Sequence, residues 1–141
     1  GGKIFAFGCG DSRVYKKSAA GLEQITTDHS LVERLIATGQ ITREEAETHP
    51  QKNVIYRDLL KGDDIDVQEL RLGPNESLVI VCDGIPGAFG ETYSQNPQKM
   101  IGALDSALKG DESAKTFVKA AIAADGGTTG DNVSAIVIKP I

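Results

Sequence analysis

Three aspartates stand beside glycine or at the end of an apolar run. Asp11 lies in Cys9-Gly10-Asp11-Ser12-Arg13, Asp83 follows Leu78-Val79-Ile80-Val81-Cys82, and Asp131 sits in Gly130-Asp131-Asn132, just ahead of Val133 to Ile138. A carboxylate at the end of a buried strand is held in place. A neighbouring glycine lets the backbone turn sharply or approach closely. Both conditions suit a hard divalent cation, which takes oxygen ligands at a fixed distance. Taken singly, each aspartate more often serves as a turn former or a cap.

Other reactive side chains carry less. His29, near a helix start, and His49, before a proline, read as hydrogen-bonding structural residues rather than acid–base catalysts. Ser12 has no base in a recognisable arrangement with it. Gly126-Gly127-Thr128-Thr129-Gly130 lacks lysine and follows a helix, which argues against a phosphate-cradling loop. Cys9 and Cys82 lack zinc-ligand spacing and lie in apolar runs, so buried free thiols in a reducing cytoplasm are expected. A net charge of -5 argues against a nucleic-acid partner. No apolar run reaches the roughly 20 residues needed to span a bilayer, so no membrane association is expected.

The elements that must position the aspartates follow from pattern. Residues 3 to 8 and 12 to 15 read as strand, with a sharp turn or bulge at Gly8-Cys9-Gly10-Asp11. Leu22 to Thr26 is the next strand. Two short helices follow, one opened by a capping box of Ser30 and Glu33, the other by Thr42 and Glu45 and ending before His49-Pro50. Their limited apolar faces predict a small helical excursion rather than core. Asp66 to Leu72 reads as strand, and the unbroken apolar run 78 to 82 as a strand buried on both faces. Ile85 to Tyr93, rich in glycine, reads as loop. Asn96-Pro97 opens a helix as N-cap and first residue, Ala114 to Ala124 forms another, and Val133 to Ile138 is the last strand. Strands in runs followed by helices predict an α+β layout, and 141 residues suit a single domain, 1–141. The strand pattern starting straight after Gly1-Gly2 leads to the expectation that more chain precedes it in the natural protein.

Five motifs, in order, resemble those of the bacterial PPM (type 2C) metal-dependent serine/threonine protein phosphatases. They are Gly10-Asp11-Ser12-Arg13, Asp28-His29-Ser30, His49-Pro50-Gln51-Lys52-Asn53-Val54-Ile55, Cys82-Asp83-Gly84 and Gly130-Asp131-Asn132. Leu22-Glu23-Gln24-Ile25-Thr26 and Ala37-Thr38-Gly39-Gln40-Ile41-Thr42 are similar too. Each motif is weak alone, and five in register resemble the C-terminal part of that family. The resemblance implies part of a β-sandwich flanked by helices, with residues 30 to 50 as a flap beside the active site. It implies Mg²⁺ or Mn²⁺ as cofactor, Asp83 and Asp131 as ligands of the paired catalytic metals, and Asp11 as ligand of a third, weaker one. Arg13 receives no catalytic role. A water shared by paired metals is the nucleophile in such a site, so no catalytic residue beyond the metal ligands is implied. The implied substrate is phosphoserine or phosphothreonine in a phosphoprotein, in a signalling role.

The chain also departs from that pattern. The family's N-terminal half carries an aspartate in its first strand and a metal-bridging Asp-Gly pair in the next. Here Asp83-Gly84 is already assigned and Asp125-Gly126 ends a helix. Three carboxylates are too few for a bridged pair of ions, and a sandwich short of half its strands exposes apolar faces and open edges. Gly84 to Gly90 differs from the family's usual sequence, and Arg57-Asp58-Leu59-Leu60 matches its Arg-Ala-Leu-Gly only loosely. Two expectations follow: hydrolysis once an N-terminal half or partner chain completes the site, or a non-catalytic pseudophosphatase-like binding or regulatory module.

Overall fold

The computed structural model describes residues 2–62, 64–127 and 130–140. Thr128 and Thr129, in the loop expected from Gly126 to Gly130, lie outside the described residues. In chain order the elements are β1 (Ile4–Gly8), β2 (Arg13–Ser18), β3 (Gly21–Gln24), α1 (Leu31–Ala37), α2 (Arg43–Glu47), β4 (Asp66–Leu70), β5 (Ser77–Val81), α3 (Gly84–Ala88), α4 (Gln98–Leu108), α5 (Ser113–Ala124) and β6 (Ala135–Ile138).

The apolar run of β5 decides the layering. Alternate side chains of a strand face opposite ways. Val79 and Val81 join Tyr15 of β2 in a core with Met100 and Leu104 of α4 and Phe117 of α5. Leu78 and Ile80 face the other way, where Val14 of β2 meets Ile4, Ala6 and Leu70. The molecule is therefore α+β, with helices on one face of an antiparallel sheet ordered β3-β2-β5-β6 and a two-stranded antiparallel sheet, β1-β4, against the other. The break at Gly8 to Ser12 carries the chain from one sheet to the other. Gly10 takes φ +111° there, a backbone state that side chains resist.

Small differences from the expected elements have physical causes. Ile85 to Tyr93 was expected to be loop, yet α3 occupies its first residues. Pro86 sits in the first turn of α3, where amide hydrogens lack helical partners anyway, and Ile85 and Pro86 are buried. α4 begins at Gln98 instead of being capped by Asn96, because Glu91 accepts from the backbone N–H groups of Lys99 (3.0 Å) and Met100 (2.9 Å). The Thr42–Glu45 capping box forms in both directions. Ser30 accepts from the Glu33 N–H, but the Glu33 carboxylate turns to Arg43 at 3.2 Å, so that box is half made. Cys9 and Cys82 are free thiols, half-buried rather than buried. The α1–α2 excursion has its own small core, Val32, Ala46 and Tyr93. No helix among the described residues is long and apolar enough to cross a membrane.

Candidate functional site

Strand register gathers the aspartates. Arg13, Val81 and Ala135 lie in one row of the antiparallel sheet. Asp11 precedes β2, Asp83 follows β5 and Asp131 precedes β6, so antiparallel pairing sends all three to the same end of the sheet. There Asp11, Asp83 and Asp131 line one cleft of about 290 Å³. Gly84 sets how close two of these segments come. A β-carbon on Gly84 would lie 2.1 Å from the Asn132 carbonyl oxygen, inside any allowed contact.

The surroundings of each aspartate differ. Asp83 begins α3, yet its side chain makes no capping hydrogen bond. Burial raises the pKa of Asp11 above its ordinary 3.8, and the negative charges of Asp83 and Asp28 add to the rise. Asp131 is exposed and accepts from the Asn132 N–H at 2.7 Å, the local turn role open to any Asp-Asn pair. Two carboxylates passed over in the sequence share the cleft. Asp125 ends α5, and its oxygen accepts from Gly130 N–H at 3.3 Å. Asp28 is buried and committed to Arg13, whose Nε and Nη2 donate to it at 2.9 and 2.6 Å. Asp125-Gly126 was legible as a pair but read as a helix end. Asp28 lay inside a motif without an assigned role.

The neck of the helical excursion is bound to the Asp11 turn. Gly10 receives two bonds from one residue: its carbonyl accepts from His29 N–H at 2.8 Å, and its N–H donates to His29 Nδ1 at 3.1 Å. With Nδ1 an acceptor, the ring proton sits on Nε2 and is donated to Asp66 at 2.8 Å. Arg57 donates to the other Asp66 oxygen at 3.0 Å. His49 accepts from Gln51 N–H at 3.2 Å. Both histidines therefore carry structural hydrogen bonds. Arg13, buried beside Asp28, also donates to Tyr15 Oη at 3.0 Å and to the Thr92 carbonyl at 2.6 Å. Burial works against its charge, but the Asp28 hydrogen bonds prevail and hold its pKa above the ordinary value.

The donor chemistry of the cleft fits a hard divalent cation: carboxylate oxygens from separate segments, with no ion pair to Asp11, Asp83 or Asp131 among the described residues. Their number does not fit a finished site. Among the described residues, no three Asp, Glu, His or Cys side chains gather closely enough to hold one ion. The chain presents part of a ligand set.

No family model matches the chain. A serine/threonine phosphatase stp from Listeria welshimeri is 32% identical over 132 residues, covering 92% of this chain and 49% of that protein. Protein phosphatase PhpP from Streptococcus pneumoniae is 41% identical over 78 residues, 54% of this chain and 32% of its own length. The crystal structure of the Mycobacterium tuberculosis serine/threonine phosphatase PstP/Ppp matches with a TM-score of 0.81 and 28% identity, over 99% of this chain and 55% of that one. The catalytic domain of PstP in complex with two manganese ions matches at a TM-score of 0.70 and 27% identity, over 99% of this chain and 54% of that one. The chain spans about half the length of the curated Listeria relatives it matches. This chain is a homologue of the PPM-type serine/threonine protein phosphatases over about half of their length.

Proposed function

We propose that the protein carrying this chain hydrolyses phosphoserine and phosphothreonine in phosphoproteins with the help of Mg²⁺ or Mn²⁺, and that this chain supplies one side of the metal site. The reading rests on the convergence of Asp11, Asp83 and Asp131, far apart in sequence, on one cleft. Asp83 and Asp131 are the proposed ligands of the catalytic metals and Asp11 of a further ion. A divalent cation there supplies Lewis-acid stabilisation of phosphoryl charge and an acidified water. The chain's own contribution is to hold its carboxylates rigidly at strand ends.

The remaining ligands belong, in this reading, to an N-terminal half or a partner chain. Phe5, Phe7 and Val67 on the outer face of β1-β4, and Ile136 and Ile138 on β6, lie exposed and await cover. The incomplete ligand group agrees with this division. Free thiols go with a cytoplasmic setting. The test is hydrolysis of a phosphothreonine peptide by the full natural protein with Mn²⁺. Loss of turnover to background in Asp83→Ala supports the reading, and equal rates in the two proteins sink it.

The same shortage of ligands favours a second reading, a non-catalytic pseudophosphatase-like module that docks a partner. Calorimetric titration of the full protein with Mn²⁺ separates the two. Binding abolished in Asp83→Ala/Asp131→Ala belongs to the phosphatase, and no binding by the parent belongs to the module.

A further inference from the structure

Thr92 and Tyr93 end the segment that starts at Asp83, and the pair is gripped from two sides, Thr92 from β2 and Tyr93 from the helical excursion. Arg13 of β2 holds the Thr92 carbonyl at 2.6 Å. From the helical excursion, Glu47 accepts from the Tyr93 N–H at 2.8 Å and Arg43 donates to the Tyr93 carbonyl at 3.4 Å. The Tyr93 hydroxyl donates to the Lys52 carbonyl at 3.3 Å. Its ring is 4% exposed and shares a core with Val32 of α1 and Ala46 of α2. Burial pushes the phenol pKa up to about 12, so the hydroxyl remains a donor through the neutral range.

We propose that Tyr93 is a positioning residue, the peg on which the α1–α2 excursion is seated, and that its hydroxyl fixes Lys52 and Asn53 on the wall of the cleft. The ends of the excursion are tied to each other by the Ser30–Ile55 bridge and the His29–Tyr56 backbone bond, and to the turn before β2 by the bonds between His29 and Gly10. Those ties fix its neck. Tyr93 holds its body, through the core it shares with Val32 and Ala46, and Arg13 keeps the peg from sliding. Lys52 and Asn53 line the same cleft as the aspartates; the Lys52 ammonium donates to the Glu47 carbonyl at 3.2 Å and pairs with no carboxylate among the described residues. A lysine held so, beside an amide, suits an anionic peptide. This consequence for substrate rests on the phosphatase reading; the seating of the excursion does not.

Tyr93→Phe tests the idea, since it keeps the ring in its core and removes only the donor. Hydrogen exchange is measured on the full chain. Exchange of the amides of Lys52 and Val54, bonded to the carbonyls of His49 and Gln51, is expected to rise about fivefold in the variant, the effect of one hydrogen bond. Amides of α4 and α5 are expected to exchange as in the parent. Unchanged exchange at 52 and 54 overturns the proposal, as does a uniform rise across the chain, which marks general destabilisation. In the hydrolysis assay, Tyr93→Phe is expected to raise KM for a phosphopeptide more than KM for p-nitrophenyl phosphate, which has no peptide to meet Lys52 and Asn53. Equal rises overturn the substrate role. Absence of hydrolysis in the parent removes the phosphatase reading and leaves exchange to decide the seating.

Discussion

At Gly84 a hydrogen atom is all that separates the start of α3 from the Asn132 carbonyl, where a β-carbon would stand 2.1 Å away. Alanine improves helix propensity by up to about 1 kcal/mol in a helix interior. Against that gain stands a clash with backbone, which no side-chain rotation relieves, and overpacking of this kind costs about 1–3 kcal/mol. The clash wins. Gly84→Ala is expected to lower stability by about 1–2 kcal/mol, read from the denaturation midpoint at constant slope. It is also expected to weaken Mn²⁺ binding, because the Asp83 and Asp131 segments must part. A variant as stable as the parent would mean that the two segments do not depend on that contact. The sequence made the Asp83-Gly84 pair visible as a turn or a ligand. It could not show why glycine is needed, because Asn132 meets it only in the folded sheet. The commitment of Asp28 was hidden for the same reason: its partner Arg13 lies across a strand and a turn.

Local signals were legible in elements whose partners lie within a turn. Thr42 and Glu45 are three residues apart, and their reciprocal cap formed as the pattern requires. The Ser30–Glu33 pattern is equally good locally, but Arg43, ten residues on, offers Glu33 a charge partner and takes it. α3 was missed because glycine and proline argue against helix, while burial of Ile85 and Pro86 is a tertiary effect. The neck of the excursion depends on His29 bridging Gly10 and Asp66. Hydrogen bonds from His29, then Arg57, hold Asp66 below its ordinary 3.8. Folding therefore favours the ionised carboxylate. The link contributes stability above the unfolded value and loses it as pH falls through the lower folded one. The contribution is small, since the carboxylate is 41% exposed and screened by water. Melting temperatures of the parent and Asp66→Asn are expected to differ most above the ordinary carboxylate value of 3.8 and to converge as pH falls below it. A gap that widens on acidification would contradict the assigned role of Asp66.

For the whole molecule, the balance of covered and uncovered surface is the deciding feature. The helix-facing side of the large sheet is closed by α4 and α5, with Phe117 1% exposed at its centre. The other side is closed only in part. β1-β4 covers Val14 and Leu78, but Ile136 on β6 remains 58% exposed, and the outer face of β1 shows Phe7 at 67%. The sequence foretold open apolar faces by reasoning from missing strands, but not their location, which depends on the pairing of β1 with β4. Two apolar areas on separate faces give a chain that can associate with itself in more than one way, and exposed faces with open strand edges drive association at micromolar concentration and above. The 141-residue chain alone is therefore expected to sediment as concentration-dependent oligomers. Phe7→Ser/Ile136→Ser should shift it toward monomer without lowering its melting temperature, because neither side chain contributes to the packed cores. In the full natural protein, where the proposed N-terminal half covers both faces, the same pair of substitutions should instead destabilise the fold by the loss of buried apolar contacts, roughly 1–3 kcal/mol at each position. Sedimentation velocity on the short chain and thermal melts on the long one give independent answers. A short chain that is monomeric at all concentrations, together with a long one indifferent to the substitutions, would mean that these faces are ordinary solvent-exposed surface.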